Sequence, residues 1–267
     1  MDVHQALVKS MKKPCAIYYT DNRVQEPIFS TVQKIINDGC RKRNIPITCV
    51  SLKPTNFGDK RIVLEGRERS YPTYVLQIKT ALENAEGDYV FFLENDVLYH
   101  DSHFDFVPLK DNVFYYNNSV FRWKLWDFKL ITYDKMRPLS CLCCNREFAL
   151  EHYKKRLEAV YKLGLNEFRS REPRQGRIWG YEPGTKARRR GGFSDDVCEL
   201  WTSTGPNIDI RHRRTFSSIK CDLENFKNKP ENWQEIRYDQ IPGWDLRKIF
   251  PEGMKKNCDL DFDTAPE

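Results

Sequence analysis

The chain has 267 residues, of which 40% are hydrophobic and 13% aromatic, so it can bury a sizeable core and is not globally disordered. No stretch approaches the roughly 20 apolar residues that cross a bilayer, and residues 1–14 lack the apolar run of a signal peptide. These features predict a soluble, cytoplasmic protein without a transmembrane segment, built as one large domain or two merged halves.

Nine cysteines are present, but their number is odd and their spacing shows no disulfide framework. Reduced thiols are therefore expected, as is usual in the cytosol. The cluster Cys141-Leu142-Cys143-Cys144 suggests zinc, yet no second cysteine pair stands at metal-ligand spacing. Zinc is accordingly not favoured.

The net charge of +6 is unevenly placed. Between Arg169 and Gly192 there are eight basic residues and two acidic ones, interspersed with glycines, Trp179 and Tyr181. A basic loop that carries aromatic side chains suits a polyanion or a phosphorylated substrate. The alternative is a solvated charged loop without a partner.

The first third of the chain alternates between predicted strands and helices. The predicted elements are a strand at Cys15–Tyr19, a helix from about Pro27 to Asp38-Gly39, a strand at Ile47–Leu52, a polar loop at Lys53–Gly66, a helix capped by Ser70 and ended by Gly87, and a strand at Tyr89–Leu93. This order predicts a parallel sheet with right-handed crossovers.

The strand at Tyr89–Leu93 is a continuous apolar run that ends in Glu94-Asn95-Asp96. An uninterrupted apolar strand is typical of a sheet covered on both faces. Ligands of open α/β sheets sit at the carboxyl ends of strands, where two carboxylates could hold a divalent cation and, through it, a diphosphate. The alternative is an acidic loop that merely ends a core strand.

The rest of the chain predicts shorter elements. These are strands at Val113–Tyr116, Ser119–Trp123 and Lys129–Tyr133, an apolar piece at Ser140–Cys144, a helix capped by Asn145 and ended by Gly164, a helix starting at Ser194-Asp195-Asp196, a strand at Asn207–His212, and an irregular end anchored by Trp233, Trp244 and Phe250. We expect two halves of one domain, at 1–120 and 121–220, followed by an irregular segment at 221–267.

A strand ending in Glu94-Asn95-Asp96, a helix start at Asp195-Asp196 and a strand ending at His212 follow one another in this chain. This order resembles the GT-A glycosyltransferases, over roughly Lys13 to Thr215. The resemblance implies an α/β, Rossmann-related fold with a mostly parallel central sheet flanked by helices and a smaller mixed acceptor-side half. Residues 1–120 would then be the nucleotide-sugar-binding half, and residues 121–220 the acceptor-binding and catalytic half. The sequence departs from the family's commoner Asp-any-Asp motif in having glutamate at its first position.

The resemblance also implies roles for individual residues. Asp96 would be the main ligand and His212 the second protein ligand of Mn²⁺ or Mg²⁺, whereas the alternative for His212 is a surface histidine in a basic run. The nucleotide-sugar would contact Glu94, Asn95, Thr20, Asp21 and Arg23, with Arg67, Arg69 and Tyr71 completing the diphosphate or base pocket. For these last three the alternative is a solvated approach to a helix. Asp195 or Asp196 would be the catalytic base.

The function predicted from these parts is metal-dependent transfer of a sugar, from a UDP-sugar, to a hydroxyl acceptor. The basic loop suggests a hydroxymethylated base in DNA as acceptor, as in phage-type DNA glycosyltransferases, and a saccharide of a surface polysaccharide is the alternative. A sugar nucleotidyltransferase is less favoured because no glycine-rich loop follows the first strand. A non-catalytic nucleic-acid-binding protein would leave the acidic residues and His212 without a role.

Overall fold

Two β-sheets organise the chain. The computed structural model describes residues 12–125, 127–134, 136–162, 183–184, 197–212, 214–215 and 220–251. The strands are β1 (Pro14–Thr20), β2 (Ile47–Ser51), β3 (Lys60–Val63), β4 (Tyr89–Glu94), β5 (Val97–Leu98), β6 (Phe114–Asn117), β7 (Val120–Lys124), β8 (Lys129–Thr132), β9 (Leu142–Asn145), β10 (Cys198–Trp201), β11 (Asn207–Arg211) and β12 (Gln234–Arg237). The α-helices are α1 (Ile28–Arg41), α2 (Tyr71–Asn84), α3 (Arg146–Lys162) and α4 (Leu246–Ile249).

The larger sheet has seven strands in the order β10-β6-β9-β4-β1-β2-β3. Strands β1 to β4 are mutually parallel, and β9 pairs antiparallel with both β4 and β6. Because parallel neighbours require a crossover, α1 and α2 connect the strands from one end of the sheet to the other. The predicted mostly parallel central sheet flanked by helices is confirmed.

Helices cover this sheet on both faces, which explains why successive residues of its central strands are apolar. In β4, Phe91 and Leu93 join the core that contains α1, whereas Val90 and Phe92 join the core that contains α2 and α3. Strand β1 divides its side chains between the two cores in the same way. Burial on both faces fixes the position of β4 within the sheet, and hence the position of Glu94 at its end.

Two predicted helix caps are confirmed. The hydroxyl of Ser70 accepts a hydrogen bond from the backbone N–H of Thr73 at 3.2 Å, before α2. The side-chain oxygen of Asn145 accepts one from the N–H of Phe148 at 3.0 Å, at the start of α3. Each cap satisfies a backbone N–H that has no partner within its helix.

Two predicted elements are wrong. The polar loop at Lys53–Gly66 contains β3, which pairs in parallel with β2 at the sheet edge. The helix predicted from Ser194-Asp195-Asp196 is contradicted at Cys198–Trp201, which forms β10 and pairs in parallel with β6. In both places pairing with a strand already in the sheet outweighs the local sequence signal.

The smaller sheet has five strands in the order β12-β8-β7-β11-β5. Strand β5 follows β4 after two residues, so the chain passes from the larger sheet into the smaller one next to Asp96. Strand β11 pairs antiparallel with β5, and the N–H of Ile210 donates to the carbonyl oxygen of Asp96 at 2.9 Å. This junction brings the end of β11 to the acidic end of β4.

Within the described ranges, no helix combines the length and the apolar character needed to cross a membrane. The eight cysteines in those ranges carry free thiols.

A buried histidine gives a pH-dependent contribution to stability. His103 is fully buried, and its Nδ1 accepts from the side-chain amides of Asn117 and Asn207 at 3.2 and 3.0 Å. Burial lowers the pKa of His103 from 6.5 to about 3, so its contribution is complete above pH 6.5 and is lost as the pH falls towards 3. We expect His103→Gln to flatten the dependence by about 1.4 kcal/mol per pH unit below 6.5, measured by urea unfolding at pH 7 and 5. Equal slopes in the two proteins would contradict this assignment.

Candidate active site

Asp96 and His212 form the centre of the site. Asp96 lies in the turn between β4 and β5, and His212 directly follows β11. The imidazole Nε2 lies 3.3 Å from Oδ2 of Asp96, and the two side chains are only 9% and 11% exposed. Adjacent ligands of an octahedral ion with bonds of about 2.1 Å lie about 3 Å apart, so this spacing fits a shared cation.

The hydrogen bonding of His212 distinguishes its two ring nitrogens. Nε2 is buried and has no hydrogen-bond partner among the described residues. The backbone N–H of Arg214 lies 3.2 Å from Nδ1 and donates to it, which puts the proton of the neutral ring on Nε2. A metal at Nε2 would displace that proton to Nδ1 and open the Arg214 contact. The backbone N–H of His212 also donates to Thr215 Oγ1 at 2.9 Å.

Glu94 ends β4 in a buried, negatively charged environment. The hydroxyl of Tyr19 donates to Glu94 Oε1 at 2.7 Å, and the backbone N–H of Glu94 donates to the Tyr99 hydroxyl at 2.9 Å. Burial, followed by the charge of Asp96, raises the pKa of Glu94 from 4.5 to about 8. The metal-free protein therefore keeps a proton on Glu94 at neutral pH.

Three charged residues of the smaller sheet border the site and were not predicted. Arg211 donates from Nη2 to Oδ2 of Asp209 at 2.7 Å, and Arg122 Nε lies 3.6 Å from the same oxygen. Burial opposes the charge of Arg211, but Asp209, Asp96 and Glu94 outweigh it and raise the pKa of Arg211. The sequence carried a signal, because alternation along β11 puts Asp209 and Arg211 opposite the apolar Ile208 and Ile210.

The loop after β1 reaches the same edge. Thr20 is buried, and its hydroxyl accepts from the Asn95 amide at 2.5 Å and from the backbone N–H of Asn22 at 2.9 Å. Asn22 has φ +59°, and its side-chain oxygen accepts from the N–H groups of Leu52 and Lys53. The predicted residues Thr20 and Asn95 are therefore brought together and tied to the end of β2.

Asp21, Arg23 and Arg69 also lie together. Arg69 Nε is 2.7 Å from Oδ2 of Asp21, while Arg69 Nη2 donates to the carbonyl oxygen of Arg214 at 2.9 Å. Arg214 Nη1 donates to the carbonyl oxygen of Arg23 at 3.0 Å. Burial lowers the pKa of Arg69, and the charges of Asp21 and Asp96 oppose that shift.

The remaining predicted residues are Arg67, Tyr71, Asp195 and Asp196. Arg67 is exposed. Tyr71 is 1% exposed in the core between α2 and α3, where its hydroxyl accepts from Arg156 Nε at 2.9 Å, so it is not among the residues at the sheet edge. Asp195 and Asp196 lie outside the described residues, as does most of the basic loop.

Asp96 and His212 are too few to enclose an ion. Across the described ranges there is no group of three or more His, Cys, Asp or Glu side chains that could hold a metal. The cysteine cluster is fully buried, and burial raises the pKa of Cys141 to about 12. A cation at Asp96 and His212 would take its other ligands from water and from a bound molecule, as Mg²⁺ commonly does.

No family model and no curated protein matches the sequence. One similar solved structure is a glycosyltransferase involved in the glycosylation of the major capsid of PBCV-1, with 9% identity over 74% of this chain and 92% of that chain and a TM-score of 0.43. Another is a point mutant of Drosophila β-1,4-galactosyltransferase 7 in complex with manganese, UDP-Gal and xylobiose, with 10% identity over 57% of this chain and 62% of that chain and a TM-score of 0.33. Neither likeness is close enough to establish a family.

Proposed function

We propose that this protein is a metal-dependent glycosyltransferase that moves a sugar from a nucleotide-sugar, a UDP-sugar, to a hydroxyl group of an acceptor. The observation that carries the proposal is the meeting of Asp96 and His212 at the carboxyl end of β4, where the buried Nε2 of His212 has no hydrogen-bond partner in the described part of the chain. This is the edge of a mostly parallel sheet at which ligands bind.

We assign a separate role in binding or catalysis to each group of residues around Asp96 and His212. Asp96 and His212 would hold Mn²⁺ or Mg²⁺, which would neutralise negative charge on the leaving diphosphate. Glu94 and Thr20 end the adjacent strands β4 and β1, and Asn95 directly follows Glu94. In this proposal the three side chains contact the ribose and base of the donor. The acceptor hydroxyl must lose a proton, for which Asp195 or Asp196 remains the predicted base.

The acceptor stays a prediction. Transfer to a hydroxymethylated base in DNA depends on the basic loop at Arg169–Gly192, and transfer to a saccharide is the alternative. Salt-sensitive binding of hydroxymethylated DNA by the full chain would favour the first, because contacts with phosphates release counterions. Transfer to a glycan with no affinity for DNA would favour the second.

Thermal unfolding with UDP, with and without Mn²⁺, tests the donor and metal. A ligand that binds only the folded state raises Tm. At 100 times its Kd, such a ligand increases the free energy of unfolding by about 2.7 kcal/mol. We expect a Tm increase that requires both UDP and Mn²⁺, and release of UDP when a UDP-sugar and an acceptor are supplied. If GDP, CDP and dTDP also fail with Mn²⁺ or Mg²⁺, the proposal is wrong, and release of pyrophosphate would indicate a nucleotidyltransferase.

A further inference from the structure

Arg69 joins two segments that border Asp96. Its Nε lies 2.7 Å from the carboxylate of Asp21, in the loop after β1, and its Nη2 donates at 2.9 Å to the carbonyl oxygen of Arg214, in the turn after β11. The side chains of Arg69 and Asp21 are each 19% exposed. One guanidinium therefore spans between two loops that are far apart in the sequence.

Further contacts turn this link into a closed ring. Arg214 returns to the first loop, because its Nη1 donates to the carbonyl oxygen of Arg23 at 3.0 Å. The backbone N–H of Arg23 donates to Asp21 Oδ1 at 3.1 Å. The sequence of contacts is thus Asp21, Arg69, Arg214, Arg23 and again Asp21. A ring of this kind resists displacement of any one member, since each is held from two sides.

The ring includes Arg214, which lies close to His212 in the chain. Arg214, the residue held by Arg69, is two positions beyond His212, and Thr215 Oγ1 accepts from the N–H of His212. We propose that Arg69 is a positioning residue, which holds Arg214 so that Nε2 of His212 stays beside Asp96. This role rests on the proposed metal site, and it differs from the direct diphosphate contact predicted from the sequence.

A role of Arg69 through its charge alone and a role in positioning His212 predict opposite changes in Mn²⁺ affinity when Arg69 is removed. Asp96 is one of the charges that act on Arg69, so the guanidinium is close enough to repel a cation bound at Asp96. If Arg69 contributed only its charge, removing it would strengthen Mn²⁺ binding. If Arg69 positions His212, removing it weakens Mn²⁺ binding, and changes in residues that orient metal ligands commonly cost about 10- to 100-fold in affinity.

The test is a titration of the protein with Mn²⁺ alone. The concentration of free Mn²⁺ is measured from its electron paramagnetic resonance signal. We expect Arg69→Gln to weaken binding about tenfold relative to wild type. Arg69→Lys should weaken it similarly, because an ammonium group keeps the charge but cannot reproduce the fork that contacts Asp21 and Arg214 together. The ¹⁴N modulation of bound Mn²⁺, which reports the imidazole of His212, should be present in wild type and lost in both variants.

Two further variants complete the design. Arg61→Gln removes an exposed arginine from β3 and should leave Mn²⁺ binding unchanged. Asp21→Asn should cost as much as Arg69→Gln, with little further loss in the double variant, because both break the same ring. If Arg69→Gln fails to fold, the Asp21→Asn variant tests the positioning role by itself. Unchanged or tighter binding with retained ¹⁴N modulation would overturn the positioning role alone, whereas no Mn²⁺ binding by wild type would overturn the metal site itself.

Discussion

Changing Asp96 to asparagine is expected to abolish the metal-dependent binding of UDP and to lower the rate of sugar transfer about a thousandfold, or about 4 kcal/mol of transition-state stabilisation. The amide is nearly the same size but removes the charge that attracts the cation. His212 would then be the remaining protein ligand in the described part of the site. The measurements are calorimetric titration of UDP with Mn²⁺ and the rate of UDP release from a UDP-sugar.

Asp38→Asn is the matched control for this substitution. Asp38 is exposed on α1, where its carboxylate pairs with Lys34 at 2.6 Å, one helical turn away. An exposed pair of this kind contributes little to stability, so both binding and transfer should stay at the wild-type level. Wild-type affinity for UDP and Mn²⁺ in Asp96→Asn would show that Asp96 is not a metal ligand.

The fold was predictable where local signals and burial agree. Strands β1, β2 and β4 are mostly apolar and buried at nearly every position, and Ser70 and Asn145 cap the helices that they were predicted to cap. The failures occurred where strand pairing decides the structure. β3 begins with Lys60 and Arg61 and gains its partner only at the sheet edge, and β10 follows a stretch with helix-start chemistry yet pairs with β6.

The site was predictable only in part, for a related reason. The position of Glu94 and Asp96 follows from the end of a buried strand, which is a local feature. The contacts of Tyr71 are not local, because its hydroxyl bonds to Arg156, 85 residues later in the chain. Likewise, the pairing of β11 with β5 and β7 determines that Asp209 and Arg211 border the site, and no spacing in the sequence encodes that pairing.

Glu94→Gln is expected to stabilise the metal-free protein at neutral and alkaline pH. The pKa of Glu94 in the folded protein, about 8, lies above its ordinary value of 4.5, so between these values the folded state holds a proton that the unfolded state has released. Stability therefore falls as the pH rises from 4.5 to 8, by up to about 1.4 kcal/mol per unit. Glutamine is neutral, and its Oε1 can still accept from Tyr19, so the variant should lose this slope.

Urea unfolding at pH 5, 7 and 8.5 in the presence of a chelator measures the effect. Glu83→Gln, an exposed position on α2, is the control and should keep the wild-type slope. A slope in Glu94→Gln equal to that of wild type would contradict the raised pKa. With Mn²⁺ present, wild type should become more stable than Glu94→Gln. The cation favours the charged form of Glu94 and should therefore stabilise wild type more than the variant. A carboxylate that costs stability until the cation arrives is what a site selected for binding, rather than for stability, is expected to contain.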